Sequence, residues 1–366
     1  MAPRPLTNCP EVDVSNLALS KHRNRCCPRW LVAMAWLLAV AAGNVRADPP
    51  TDSPDAIGPG YEYYAVGDVT APTPGTVGPG LALLGGGDWP LEAMHWFVHQ
   101  AGGGHIVVLR ARGGRELQNE IFNEVGGVAS VETLVIHDED AARDPKLLAI
   151  VARADGVFIG GGDQSNYIRL WKDTPLSHLI DAKAAAGRPV GGTSAGLAVL
   201  GGYAYGCLDS ISLTSKDALA NPTGAGVTLV RDFLHLPYLK HVITDSHFAI
   251  RDRLGRLVTF VGRLAQEEND ASITGLGIDE GTALIIDGNG IGRFYTTGAG
   301  YAWLVRPARK PAVIVAGQPL SYRRFTVVGI DPRSTIDLKT YAVTDPAFRR
   351  PVAVRHGVLA AGDGHP

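Results

Sequence analysis

The sequence predicts an α/β fold with a doubly wound, mostly parallel sheet and a β-rich C-terminal extension. Three observations carry this expectation. Short apolar runs at Leu81–Leu84, Ile106–Leu109, Thr133–Ile136 and Gly156–Ile159 alternate with segments of helical potential, as when crossover helices bury strands on both faces. Two of these runs end in glycine clusters, Gly85-Gly86-Gly87 and Gly160-Gly161-Gly162, and a further strand enters Gly192-Thr193-Ser194-Ala195-Gly196. From Ile273 onward strand-like runs dominate.

The N-terminal segment 1–47 reads as a secretory signal. Lys21, Arg23, Arg25 and Arg29 precede the apolar run Trp30–Gly43, and Val45-Arg46-Ala47 resembles a cleavage site. The run is short for a bilayer span, so no stable membrane anchor is expected, and the mature protein is placed in the periplasm or outside the cell. Cys9, Cys26 and Cys27 fall in this segment, leaving Cys207 alone and no intramolecular disulfide. Residues 48–80, rich in Pro, Gly, Asp and Thr, read as an exposed leader with little core. A net charge of −2 argues against a nucleic-acid partner. An apolar fraction of 45% over 366 residues gives ample core.

Within 81–290, taken as the principal domain, helices are expected at Leu91–Gln100, near Glu116–Asn123 and Pro145–Arg153, then at Gln164–Trp171 and Leu176–Ala186. A strand at Pro189–Gly191 delivers Ser194. Residues 207–240 look irregular, Val242–Thr244 is a short strand, and Arg251–Arg263 a helix. The tail, 291–366, adds strands at Gly292–Tyr295, Ala312–Val315 and Phe325–Ile330. In parallel sheets sites form at the carboxyl ends of strands, so both glycine clusters and the serine turn should share one edge.

Gly192–Gly196 is a Gly-x-Ser-x-Gly segment between strand and helix, the pattern of a nucleophile elbow. In a chain with 45 glycines the motif alone is equally a tight connection. A serine nucleophile needs a base, and the base an orienting acid. His247, at the end of a short strand and entering a basic segment, is the candidate base, although a surface histidine fits the local sequence too. The turn Asp279-Glu280 between two strands offers the acid, although such turns also serve solubility. The serine–acid–histidine order of α/β-hydrolases would instead require His356 and an acid such as Asp331, with no supporting motif. His95 and His99 stand at helical spacing but lack a third ligand, and His137-Asp138-Glu139-Asp140 reads as a solvated turn. No metal and no cofactor are expected.

Four ordered segments resemble cyanophycinase, of the serine peptidase family that includes aspartyl dipeptidase E. They are Phe158–Gln164, Gly192–Gly196, Asp245–Leu257 and Gly277–Ala283. The resemblance spans roughly 80–290 and implies a fold like that of class I glutamine amidotransferases. It implies Ser194 as nucleophile, His247 as base and Glu280 as orienting acid, with the N–H groups of Ala195 and Gly162 as oxyanion hole. Gln164, Asp245, Arg251, Arg253 and Arg256 match positions that shape the substrate pocket, with Arg253 and Arg256 expected on one helix face. Ser246 departs from the glutamine that cyanophycinases often carry before the histidine.

The implied activity is that of a secreted serine exopeptidase. It would hydrolyse cyanophycin, a polyaspartate bearing arginine on its β-carboxyls, to β-Asp-Arg dipeptides, and act as a homodimer. The alternatives are an isoaspartyl or α-aspartyl dipeptidase and a non-catalytic binding protein on the same fold. A serine at the elbow disfavours a thiol amidotransferase.

Overall fold

The computed structural model describes residues 53–209, 211–308 and 314–361. The expected signal segment and its cysteines lie outside them, as do Ala312 and Val313 of the strand expected at Ala312–Val315, whose Ile314 and Val315 are described and lie in no strand. Among the described residues no helix is long and apolar enough to cross a membrane.

Two sheets organise the described chain. The first has 11 strands; its centre runs Ser130–Ile136, His105–Arg110, Gly156–Ile159, Val190–Thr193 and Gly80–Leu84, all parallel. It is doubly wound, as expected. Leu81 and Leu83 join the apolar cluster that holds the helices Pro145–Arg153 and Pro175–Ala185. Ala82 and Leu84 join the one that holds the helix Leu91–Gln100. Successive side chains of one strand thus face opposite layers, and each fully buried leucine contributes roughly 2 kcal/mol of transfer free energy.

The second sheet, of 8 strands, was not anticipated. Tyr203–Tyr205, Val242–Asp245 and Thr274–Ile278 lie parallel within it, and the helix Leu254–Glu267 buries Leu257, Phe260, Val261 and Leu264. The C-terminal strands divide between the sheets. Ile291–Thr296, Thr335–Asp337 and Ala342–Thr344 extend the first, while Ala302–Pro307, Tyr322–Ile330, Phe348–Arg355 and Val358–Ala361 extend the second. The β-rich C-terminal part is therefore present, shared between the sheets, and antiparallel strands flank the parallel centre.

Two further differences concern the ends of the region. Tyr61–Gly67 pairs along its length with Ser130–Ile136, burying Tyr61 and Tyr64, so the described part of the expected leader, 53–80, contributes to the core. Aromatic residues suit such a half-buried strand. Thr282–Asp287 pairs antiparallel with Gly80–Leu84 and brings the Asp279-Glu280 turn beside Gly85. The parallel strands Gly80–Leu84, Gly156–Ile159 and Val190–Thr193 end side by side, with Leu84 opposite Thr193 and Ile159 opposite Gly192. The glycine clusters and the serine turn accordingly share one edge.

Candidate active site

Ser194 sits between the strand Val190–Thr193 and the short helix Ala195–Ala198, with φ 55° and ψ −114°. A non-glycine residue held there stores backbone strain, which surrounding structure must support. Its N–H donates to the Leu84 carbonyl at 3.2 Å. Gly196 supplies the close approach: a β-carbon there would lie 2.1 Å from the Ile159 carbonyl oxygen. The turn therefore presses against the neighbouring strand and presents the hydroxyl at the sheet edge.

The base comes from the second sheet. Val242–Asp245 ends in Ser246-His247, where His247 adopts φ 43° and its N–H donates to the Gly85 carbonyl at 2.8 Å. The Glu280 carboxylate accepts from Nδ1–H at 3.0 Å, which leaves Nε2 to accept the Ser194 hydroxyl proton at 2.7 Å. Burial holds the imidazole below the ordinary histidine pKa of 6.5; the Glu280 hydrogen bond opposes this, and the nearby Arg251 charge reinforces it. The ring is consequently neutral, as a general base must be, through the neutral pH range.

The Gly85–Gly87 cluster lies at this edge, as expected, and the structure gives it a role. A β-carbon on Gly86, at φ 100°, would fall 2.3 Å from His247 Cε1, and one on Gly87 would fall 2.7 Å from Glu280 Cγ. The imidazole rests on bare backbone. Gly86→Ala is expected to push the ring from Ser194 and lower kcat by about a hundredfold, the cost of a displacement near 1 Å in a reacting geometry. Steady-state kinetics on the purified variant, with a melting curve as control, checks this.

The expected oxyanion donors flank the serine. Ala195 opens its helix, so its N–H is free of intrahelical bonding. The Tyr167 hydroxyl bonds the carbonyls of Gly160 at 2.9 Å and Gly161 at 2.8 Å. In a planar trans peptide this fixes the Gly162 N–H on the side away from Tyr167. A β-carbon on Gly161 would lie 3.5 Å from Ser194 Cβ, so this loop borders the nucleophile.

The residues expected to contact substrate divide into two groups. Gln164, half-buried at the start of the helix Gln164–Trp171, reaches the Tyr205 carbonyl at 3.4 Å, and Arg251 is exposed. Asp245, Arg253 and Arg256 are instead buried together. Arg256 donates to Asp245 through Nε at 2.8 Å and Nη2 at 2.6 Å, and its remaining nitrogen reaches Ser212 and the Leu213 carbonyl. Its guanidinium carbon lies 5.1 Å from the Tyr205 ring centre. Burial disfavours this charge, but Asp245 outweighs burial and the Arg256 pKa rises.

Arg253 Nη1 donates to Asp245 and, at 2.7 Å, to the Ser246 carbonyl beside His247. Burial pulls its pKa down to about 10, so it stays charged at neutral pH. The expectation that Arg253 and Arg256 form one helix face is corrected. Positive φ at His247 and Asp252 breaks the backbone, the helix starts at Leu254, and Arg253 is its cap. Both guanidinium groups converge on Asp245, and Arg256 at 2% exposure stands behind Arg253 rather than at an open surface.

The competing candidates have other partners. His95 Nε2 hydrogen-bonds the Val125 carbonyl at 3.1 Å, and His137 lies 3.4 Å from Glu62. Asp331 is engaged by Arg333 and Ser334.

Because Arg251 helps depress the His247 pKa, Arg251→Met should raise it. For the wild type, kcat/KM should rise with pH through a midpoint below 6.5 as His247 loses its proton. In the variant that midpoint should move upward, whatever happens to the plateau. A pH–rate profile of both proteins is the check.

Serine, neutral imidazole and carboxylate, hydrogen-bonded in sequence at a nucleophile elbow, have the arrangement of a serine-hydrolase centre on an α/β scaffold. Residues 116–293 match peptidase family S51, and all three side chains lie in that segment. The chain is 29% identical over 231 residues to the cyanophycinase of Synechococcus elongatus, covering 63% of this chain and 62% of that protein. To that of Nostoc sp. (strain PCC 7120 / SAG 25.82 / UTEX 2576) it is 30% identical over 179 residues, covering 49% and 53%. Among solved structures, a peptidase from an acI-B1 Actinobacterium gives a TM-score of 0.45 at 18% identity, covering 68% of this chain and 99% of that one. The chain thus spans somewhat less than two thirds of the curated relatives it matches. It is similar to cyanophycinases, and the stretch that holds its four motifs matches peptidase family S51.

Proposed function

We propose that this protein is a serine-type peptidase that hydrolyses cyanophycin to β-Asp-Arg dipeptides. The observation that carries the reading is the chain from Ser194 Oγ to His247 Nε2, 2.7 Å, and from Nδ1 to Glu280, 3.0 Å. Ser194 attacks a backbone carbonyl of the polyaspartate while His247 takes its proton. The oxyanion develops against the N–H groups of Ala195 and Gly162. His247 then protonates the leaving amine, and water, activated by the same imidazole, releases the acyl group. Arg251, exposed beside the site, offers a cation for substrate carboxylates, and Gln164 both donates and accepts.

The cyanophycinase relatives support the polymer as substrate. Ser246 favours the second reading, an isoaspartyl or α-aspartyl dipeptidase. It is buried at 3%, and its backbone carbonyl and hydroxyl both accept from Arg253, so it offers no amide to the pocket. Incubation with cyanophycin, followed by mass analysis of soluble products, decides. A β-Asp-Arg product supports the first reading; an inert polymer with turnover of isoaspartyl dipeptides supports the second.

Export through the segment 1–47 and assembly as a homodimer complete the proposal. N-terminal sequencing of exported protein and light scattering test them.

A further inference from the structure

The loop that carries His247 is held from behind by residues beyond the S51 segment. Asp279 is 5% exposed and adjoins Glu280, yet its carboxylate faces away from the imidazole toward three N–H donors. Oδ1 accepts from Ala249 N–H at 2.9 Å and from the Trp303 indole N–H at 2.9 Å; Oδ2 accepts from Tyr301 N–H at 2.8 Å. The Asp279 N–H returns a bond to the Tyr301 carbonyl at 3.1 Å. Ala249 follows His247 by two residues, and the intervening Phe248 donates its N–H to the Ile278 carbonyl at 3.2 Å. The Phe248 ring packs against Trp303, with centroids 5.6 Å apart. Trp303 belongs to the strand Ala302–Pro307, in register with Thr274–Ile278. Its indole is also enclosed by Phe348 and Arg350 from the strand Phe348–Arg355.

We propose that Asp279 and Trp303 are positioning residues for the peptidase reaction: the C-terminal strands clamp the Asp279 carboxylate, which locks the His247 loop at the spacing that Ser194 and Glu280 require. This rests on the serine-peptidase reading of the site. The need for a clamp follows from the backbone. His247 sits at φ 43° and Asp252 at φ 46°, so the loop is a set of turns, with Arg251 N–H bonded to the His247 carbonyl at 3.2 Å and Arg253 N–H to the Phe248 carbonyl at 3.0 Å, and is neither helix nor strand. A left-handed non-glycine residue persists only when its surroundings over-determine it. The main-chain bond from His247 to Gly85 fixes one end. The Asp279 carboxylate fixes the backbone two residues on, at Ala249, through a charge-assisted bond stronger than a neutral one. The indole N–H then decides which way that carboxylate faces. Two adjacent carboxylates thereby take different parts, with Glu280 touching the imidazole and Asp279 holding its backbone.

The test reads the rate at which an alkyl fluorophosphonate acylates Ser194 across pH, which does not depend on knowing the substrate. Trp303→Phe keeps an aromatic ring and removes the N–H; Asp279→Asn turns one acceptor into a donor among three donors. Each is expected to slow acylation about tenfold, as for a reacting pair held less closely, and to displace the pH midpoint of labelling from its wild-type position. The double variant should be little slower than either single variant, because both changes release the same loop. Wild-type acylation in Trp303→Phe, or slowing with an unmoved midpoint, overturns the inference even if Asp279→Asn does not fold. Failure of the wild type itself to be labelled at Ser194 overturns the peptidase reading, and the inference with it.

Discussion

Ser194→Ala is expected to lower kcat/KM for the hydrolysed peptide by at least about ten-thousandfold, the scale on which removal of a serine nucleophile acts in such triads. The fold should persist. Ser194 is half-buried, its hydroxyl bonds only the imidazole among the described residues, and its N–H bond to Leu84 survives the change. Alanine inherits the φ of 55° at about the same cost as serine, so stability should move by less than about 1 kcal/mol. Parallel measurement of turnover and thermal unfolding separates the two effects. Loss of activity accompanied by loss of fold would contradict the assignment of Ser194 as a group that acts by chemistry alone.

The second large effect concerns stability. Asp245 is 2% exposed and receives both Arg256 and Arg253, so Asp245→Ala leaves two buried guanidinium groups without their carboxylate. Breaking a buried pair from one side costs about 3–5 kcal/mol, because the remaining charge stays desolvated. Urea unfolding should report a loss of that size. Asp245→Leu combined with Arg256→Met should recover much of it, since the charges then leave together. Recovered stability should not restore turnover. Arg253 bonds the Ser246 carbonyl next to His247, and without Asp245 its guanidinium loses the carboxylate that helps to orient it. If the single variant is as stable as the wild type, the buried network does not support this face of the site.

Much of this architecture is legible in the sequence where local chemistry decides it. The helices Leu91–Gln100, Pro145–Arg153 and Gln164–Trp171 appear at the expected bounds, because apolar spacing and the Asp144 and Asp163 caps mark them. The apolar strands of the parallel centre were equally plain. What escaped is set by distant partners. Tyr203–Tyr205 has three residues, and Phe348–Arg355 places charge on its exposed face; each is a strand only because a neighbour supplies its hydrogen bonds. The second sheet follows from such pairings and leaves little trace in periodicity.

The same distinction applies to the site. Ser194, His247 and Glu280 were reached through segments whose spacing is local. The convergence of Arg253 and Arg256 on Asp245 depends on two left-handed residues in one loop. The clamp on Asp279 depends on a tryptophan 24 positions away. Its one visible signal was the doubled carboxylate, Asp279-Glu280, of which a single triad needs only one.

Ser194, activated by His247 and Glu280, is the proposed nucleophile. Peptide mapping by mass spectrometry after treatment of the folded protein with a fluorophosphonate tests it most directly. One phosphonyl adduct is expected, on the peptide that contains Ser194, formed slowly or not at all in His247→Ala. An adduct elsewhere, or equal labelling of Ser194 without His247, would contradict it.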